Sequence, residues 1–135
     1  MPATLVDSNV LIDVLSRDSA WADWSGQALG ELGSEGQLVI NAVIYAEISY
    51  RYSSKELLDR ELPEDAFMRE NVPWTAAFLA GKVYLEYRRR GGQRRSPLPD
   101  FFIGAHAAVA GLRLLTRDAA RYRTYFPTVE LITPE

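Results

Sequence analysis

Four carboxylates stand where a fold can gather them for chemistry. Asp7 ends the run Thr4, Leu5, Val6 and is followed at once by Ser8 and Asn9, so it sits at the tip of a short buried strand leading directly into a helix. Asp118 lies just past a second such run, Arg113 to Leu115. Glu47 falls within the helix that follows the strand 37–40 (QLVI), and Asp100 opens a helix after Pro99. In an open parallel sheet with right-handed crossovers, strand tips and the starts of the next helices share one edge. The four acids, 40, 53 and 18 residues apart, are therefore placed to share a pocket. Clustered carboxylates repel one another, and their pKa values rise unless a cation holds them. Hard divalent ions such as Mg²⁺ take oxygen ligands. One or two such ions bind a phosphate oxygen, generate hydroxide from water and stabilise a departing alkoxide. The chemistry expected is phosphodiester hydrolysis, with no His or Cys ligand required.

Each acid also has a plain structural reading. Asp100 after Pro99 suits the positive end of a helix. Asp118 is placed to cap the next helix, and Glu47 is compatible with a solvated helix face. Asp7 is harder to explain this way, because a strand tip running straight into a helix is cramped. It is the coincidence of all four that favours a site.

The elements that must position them read as follows. Ser8 or Asn9 caps a first helix with Val10, Leu11, Val14 and Leu15 at helical spacing. Asp18 or Ser19 caps a second, with Trp21, Trp24, Ala28, Leu29 and Leu32 on one face. Asn41 caps a third helix carrying Glu47, and residues 55–62 form a short helix stopped by Pro63. Residues 64–69 read as a short helix followed by an extended piece, 71–74. Residues 75–90 form a long helix ended by Gly91 and Gly92. The helix begun at Asp100 runs to Gly111, Ala119–Tyr125 forms the last helix, and 129–132 the last strand. Strands alternating with helices argue an α/β fold, a parallel sheet with helices on both faces.

The 135 residues are expected to form one domain, with 47% hydrophobic and 24% charged residues, ordinary for a globular protein. No apolar run is long enough for a membrane span, and the N-terminus has no secretory pattern. The absence of cysteine excludes disulfides and thiolate metal sites and fits a reducing cytoplasm. A net charge of −3 means that nucleic acid must be met by a local patch or through metal ions, since the bulk field is unfavourable.

The segments VDSNVLID, INAVIYAEIS and PDFFIGAHAAVAGLRLLTRDAARYRTYFPTVELITP resemble PIN-domain proteins, and most of all the VapC toxins of bacterial and archaeal toxin–antitoxin pairs. They cover the N-terminus, one middle helix and the last quarter; residues 54–93 match only as helices of suitable length. The resemblance implies a PIN-like three-layer sandwich with a central, mostly parallel sheet of four to five short strands. It implies catalytic and metal-binding roles for Asp7, Glu47, Asp100 and Asp118, with Mg²⁺ as cofactor and Mn²⁺ able to substitute. Asn9 and Thr116 match polar positions that support the acids or the metal water. It further implies endonucleolytic cleavage of RNA, a homodimer and a VapB-like antitoxin whose tail fills the acidic groove. A catalytically inert PIN scaffold that binds RNA or protein is the alternative.

Thirteen of the fifteen basic residues are Arg, which favours bidentate phosphate contact. Arg88, Arg89, Arg90, Arg94 and Arg95 form one candidate RNA-binding arm; Arg117 and Arg121, with Arg123 nearby, form another. The plain alternative for the first is a solvated helix end whose cations complement the dipole. His106, the only histidine, reads as structural. Trp21, Trp24 and Trp74 read as core or interface, and Tyr45, Tyr50 and Tyr52 as a candidate packing surface. A phosphoacceptor receiver domain would need a late Lys, but none lies beyond Lys82. A haloacid-dehalogenase-type phosphatase would need Asp where Asn9 stands.

Overall fold

Short runs of continuously apolar residues make strands that are buried on both faces, as a parallel sheet between helices requires. The computed structural model describes residues 3–17, 19–92 and 97–134. Among these, five strands alternate with seven helices. The strands are β1 (Thr4–Val6), β2 (Leu38–Ile40), β3 (Phe67–Arg69), β4 (Arg113–Leu115) and β5 (Leu131–Ile132). The helices are α1 (Ser8–Ser16), α2 (Ala22–Glu35), α3 (Ala42–Ser49), α4 (Lys55–Glu61), α5 (Trp74–Arg89), α6 (Leu98–Ala110) and α7 (Ala119–Tyr125).

The sheet order is β3-β2-β1-β4-β5, and every pairing is parallel. From β1 the chain winds outward one way to β2 and β3, then returns to the other side for β4 and β5. The order therefore reverses between β1 and β4, the place where open α/β sheets bind ligands beyond their strand tips. Asp7 and Thr116 are the first residues past those two strands, and the Asp7 amide donates to Leu115 O at 2.9 Å.

Four readings of the sequence change. The cap of α1 is Asp7, one residue before Ser8 and two before Asn9; its extended backbone (φ −66°, ψ 151°) is what a cap needs, and its side chain accepts from the Ser8 amide. The second helix starts after Trp21 without a side-chain cap; Ser19 Oγ accepts from the Trp21 amide instead, and Asp18 lies outside the described residues. The expected helix over 64–69 does not form: 64–66 make a turn and 67–69 are strand β3, in register with β2 (Leu38 beside Phe67, Ile40 beside Arg69). An edge strand of three half-buried residues is too short to display an alternating pattern. The last strand is shorter than 129–132. Asn41 caps α3 as expected, accepting from the Ile44 amide, and Ser54 caps α4, accepting from the Leu57 amide. No helix among the described residues is long and apolar enough to cross a membrane.

Helix α6 is the central pillar, with Phe101, Ile103, Gly104, Ala105, His106 and Ala107 all buried. Phe101 packs edge-on against Tyr84, Tyr87 and Tyr125 and tilted against Phe126. A Cβ at Gly104 would overlap the buried Phe126 ring, whereas one at Gly81 on α5 would meet nothing within 4 Å. Gly104→Ala is therefore expected to lower the urea midpoint by the equivalent of about 1–3 kcal/mol through overpacking. Gly81→Ala, gaining only helix propensity, should raise it by up to about 1 kcal/mol. Equal shifts for the two would show that the Phe126 contact does not constrain α6.

Candidate active site

Asp7 reaches the site because β1 ends in it, and it is buried, only 3% exposed. Its two oxygens have different surroundings. Oδ1 accepts from the Ser8 amide at 2.7 Å. Oδ2 accepts from the Thr116 hydroxyl and the Tyr122 hydroxyl, each at 2.9 Å. Thr116 enters across the β1–β4 reversal; its Oγ1 also accepts from Asn9 Nδ2 at 3.3 Å and from the Asp118 amide at 3.1 Å. Thus Asn9 and Thr116 form one polar chain that ends on Asp7.

Glu47 projects from α3, which is set by the Asn41 cap. Ser8 Oγ donates to Glu47 Oε1 at 2.8 Å and stands 3.5 Å from Asp7 Oδ1, joining the two acids. Asp100 is the third residue of α6, which begins two residues earlier than the sequence suggests; Arg121 Nη1 donates to its Oδ2 at 2.7 Å. Asp118 occupies the cap position of α7, but its carboxylate does not cap that helix.

The electrostatics draw these acids into one neighbourhood. Burial, then the charge of Asp100, pushes the Asp7 carboxyl up to about 6; Glu47 adds to this, while the Thr116 and Tyr122 hydroxyls oppose it. Burial and then Asp100 raise Glu47, against the Ser8 hydroxyl. Burial raises Asp100 as well, with Arg121 opposing and Asp118 reinforcing. Burial and the charges of Asp7 and Asp100 hold the Tyr122 phenol well above its usual range. It stays protonated and can only donate to Asp7.

The donor set is all oxygen, which suits a hard divalent ion and not zinc. Of the four acids, the Arg121 guanidinium pairs with Asp100 alone, and Asp7 Oδ1 has acceptor capacity beyond the Ser8 amide. Among the described residues no three acid, His or Cys side chains are grouped so as to hold a metal ion. Asp7, Glu47 and Asp100 are turned instead toward Ser8, Thr116, Tyr122 and Arg121. In donor type and charge these carboxylates suit such an ion.

The arginines divide. Arg121 is paired with Asp100. Arg117 is paired with Asp13 through Nε to Oδ2 and through Nη2 to Oδ1 at 3.0 Å. Arg90 pairs with Glu86 at 3.0 Å and lies over the Tyr125 ring. Arg88 and Arg89 close α5. Arg94 and Arg95 lie outside the described residues. His106 is fully buried, with Nδ1 3.0 Å from Asn41 Nδ2 and Nε2 3.3 Å from Glu70 Oε1. Because Asn41 Oδ1 accepts from the Ile44 amide, its Nδ2 donates to the imidazole, and Nε2–H faces Glu70. The histidine is structural. Trp74 is 91% exposed, so of its two readings, core or interface, it is not core.

Sequence reasoning missed Ser8, Tyr122 and Asp13. Tyr122 is four residues after Asp118, one helical turn on the same face. Ser8 carried no signal beyond its adjacency to Asp7.

A family model for the PIN domain matches residues 4–127. No curated protein matches the chain significantly. Among solved structures, VapBC2 from Rickettsia felis bound to a DNA fragment from its promoter superposes with a TM-score of 0.75 at 17% identity, covering 98% of this chain and 99% of that one. A toxin–antitoxin complex from Klebsiella pneumoniae gives 0.71 at 24% identity, covering 98% of both chains. FitAcB from Neisseria gonorrhoeae gives 0.72 at 18% identity, covering 97% of both. At these identities the likeness is one of fold.

Proposed function

The chain belongs to the PIN-domain family, whose members are in general nucleases that use divalent metals, and from that premise we propose that it is a Mg²⁺-dependent endoribonuclease, the toxin of a toxin–antitoxin pair. The reading takes residues 1–135 as one PIN domain working in the cytoplasm, with Mn²⁺ able to replace Mg²⁺. The observation that carries it is Asp7: a buried carboxyl at the β1–β4 reversal, pushed up to about 6 by burial and by facing Asp100 and Glu47.

Asp7, Glu47, Asp100 and Asp118 would hold the ion, which would supply charge for a phosphate oxygen and a lowered pKa for an attacking water. The protein's own groups set the geometry. Thr116 and Tyr122 fix Asp7 Oδ2 and leave Oδ1 toward the site. Ser8 orients Glu47. Arg121 moderates the charge of Asp100. Arg88 and Arg89 at the end of α5 add positive charge to a chain of net −3.

The partner reading rests on the neighbours, which are toxin–antitoxin complexes. A VapB-like antitoxin is the expected inhibitor, a cationic side chain of its tail entering the carboxylate cluster. A homodimer is the expected form. Exposed Trp74, Phe78 and Leu85 on α5 and Tyr50 beyond α3 offer apolar area for such contacts.

The test is incubation of the purified chain with total tRNA and ribosomal RNA in Mg²⁺ or Mn²⁺, then with EDTA. Discrete fragments that appear with metal and vanish with EDTA are expected. Intact RNA under every metal condition would overturn the nuclease reading and leave an inert scaffold.

A further inference from the structure

Asp13 on α1 is a carboxylate that the active-site account does not use. It is 1% exposed, yet four donors surround it. Arg117 grips it with Nε and Nη2, Ser19 Oγ donates at 2.8 Å and Ser25 Oγ at 2.7 Å. Burial alone would raise its pKa, but these donors, Arg117 first, hold it below the usual range. The Arg117 guanidinium also lies 5.5 Å over the Trp21 ring. This is a two-pronged, planar pairing, which Arg makes and Lys does not. It ties β4's exit to both α1 and the α1–α2 turn.

A second tie runs one helical turn nearer the site. The Arg117 amide donates to Asn9 Oδ1 at 3.2 Å, and Asn9 Nδ2 donates to Thr116 Oγ1 at 3.3 Å. Asn9 and Asp13 are four residues apart on α1 and so present the same face. Residues 116–118 are thus held against that face at two points. The segment so held carries the Thr116 hydroxyl that fixes Asp7 and the Asp118 carboxylate itself.

We propose that Arg117 is a positioning residue of the site: clamped by Asp13, it sets where Thr116 and Asp118 stand, and so sets metal affinity and turnover without touching RNA. The inference rests on the nuclease reading above. It replaces the role of Arg117 as a phosphate contact, since its charge is already committed.

The experiment compares wild type, Arg117→Gln, Asp13→Asn and the double variant. Mn²⁺ binding to the metal-free proteins is measured by calorimetry at 20 °C, with kcat, KM and the salt dependence of KM on RNA. Each single variant should bind Mn²⁺ about 10-fold more weakly, the lower end of what loss of outer support costs a metal site. Each should lose kcat by a similar factor with KM nearly unchanged. The double variant should be no worse than the worse single one, because both remove one interaction. Should Arg117→Gln fail to fold, Arg117→Lys, which keeps the charge and loses the fork, takes its place.

A raised KM and a shallower salt slope for Arg117→Gln, with Asp13→Asn behaving as wild type, would mean a phosphate contact and overturn the proposal. Lower melting temperatures with unchanged Mn²⁺ affinity and kcat would mean a purely structural pair and overturn it equally. Failure of the wild type to cut RNA overturns the nuclease reading alone, since the four Mn²⁺ affinities still decide the clamp.

Discussion

Asp7→Asn is expected to lose metal-dependent cleavage by more than about 100-fold, beyond what losing a mere outer support costs, and at the same time to stabilise the metal-free protein at pH 7.5. The two effects share one cause. The Asp7 carboxylate is buried and faces Asp100 and Glu47, so ionising it in the fold is unfavourable. An amide of the same shape removes that charge. Its oxygen can still accept from the Ser8 amide at the start of α1. Its nitrogen then faces the Tyr122 hydroxyl, which can turn to accept, and the Thr116 hydroxyl, whose two lone pairs are already taken by Asn9 and the Asp118 amide and which offsets part of the gain. The expected gain is about 1–3 kcal/mol, a fraction of the charge penalty, or a rise of roughly 3–10 °C in melting temperature for a chain of this size. Thermal melts in EDTA beside cleavage assays in Mn²⁺ make the measurement. A variant that is inactive but less stable would show that Asp7 serves the fold as much as the site.

That stabilisation is a signature sequence alone could not have assigned, although the residue itself was legible. Asp7, Glu47, Asp100 and Asp118 stood out because strand tips and helix starts fix which edge a residue occupies, and that follows from local pattern. Asn41 and Ser54 as caps were equally readable, their donors lying three residues away. The parallel α/β order was legible from the alternation of short apolar runs with helices. What was hidden depends on distant partners. Asp13 meets Arg117 across 104 residues, so the pairing of a cation that reads as a phosphate arm is invisible in the local pattern. Arg121 reads the same way and pairs with Asp100. Strand β3 was missed because Phe67–Arg69 has no length in which to alternate, and its pairing to β2 exists only in the folded sheet. Tyr122 is unremarkable in sequence; folding brings its hydroxyl onto Asp7.

The stability of the metal-free protein is expected to fall as pH rises from about 4 to about 6, and divalent metal is expected to reverse that fall. Asp7 titrates at about 6 in the fold against 3.8 for the free side chain. Between those values the folded protein holds a proton that the unfolded chain has released. Stability changes with pH as the protons bound by the unfolded chain minus those bound by the fold, so this group's contribution is greatest below about 4, is lost through the window and is flat beyond it. At 1.36 kcal/mol per unit the loss amounts to about 3 kcal/mol. Glu47 and Asp100, both raised, push the same way. His106 pushes the opposite way: burial lowers its pKa, so the unfolded chain takes up a proton near 6.5 that the fold refuses, and this histidine favours the fold increasingly as pH rises toward 6.5. The difference between wild type and Asp7→Asn cancels His106 and isolates the carboxyl. Urea midpoints in EDTA should place wild type well below the variant at pH 7.5 and close to it near pH 4.5. Millimolar Mn²⁺ should raise wild type at pH 7.5, leave the variant nearly unmoved, and do little to either near pH 4.5, where protons compete for the same oxygens. A difference curve flat in pH would mean that Asp7 is ionised in the fold throughout, with its charge already balanced by the hydroxyls of Thr116 and Tyr122.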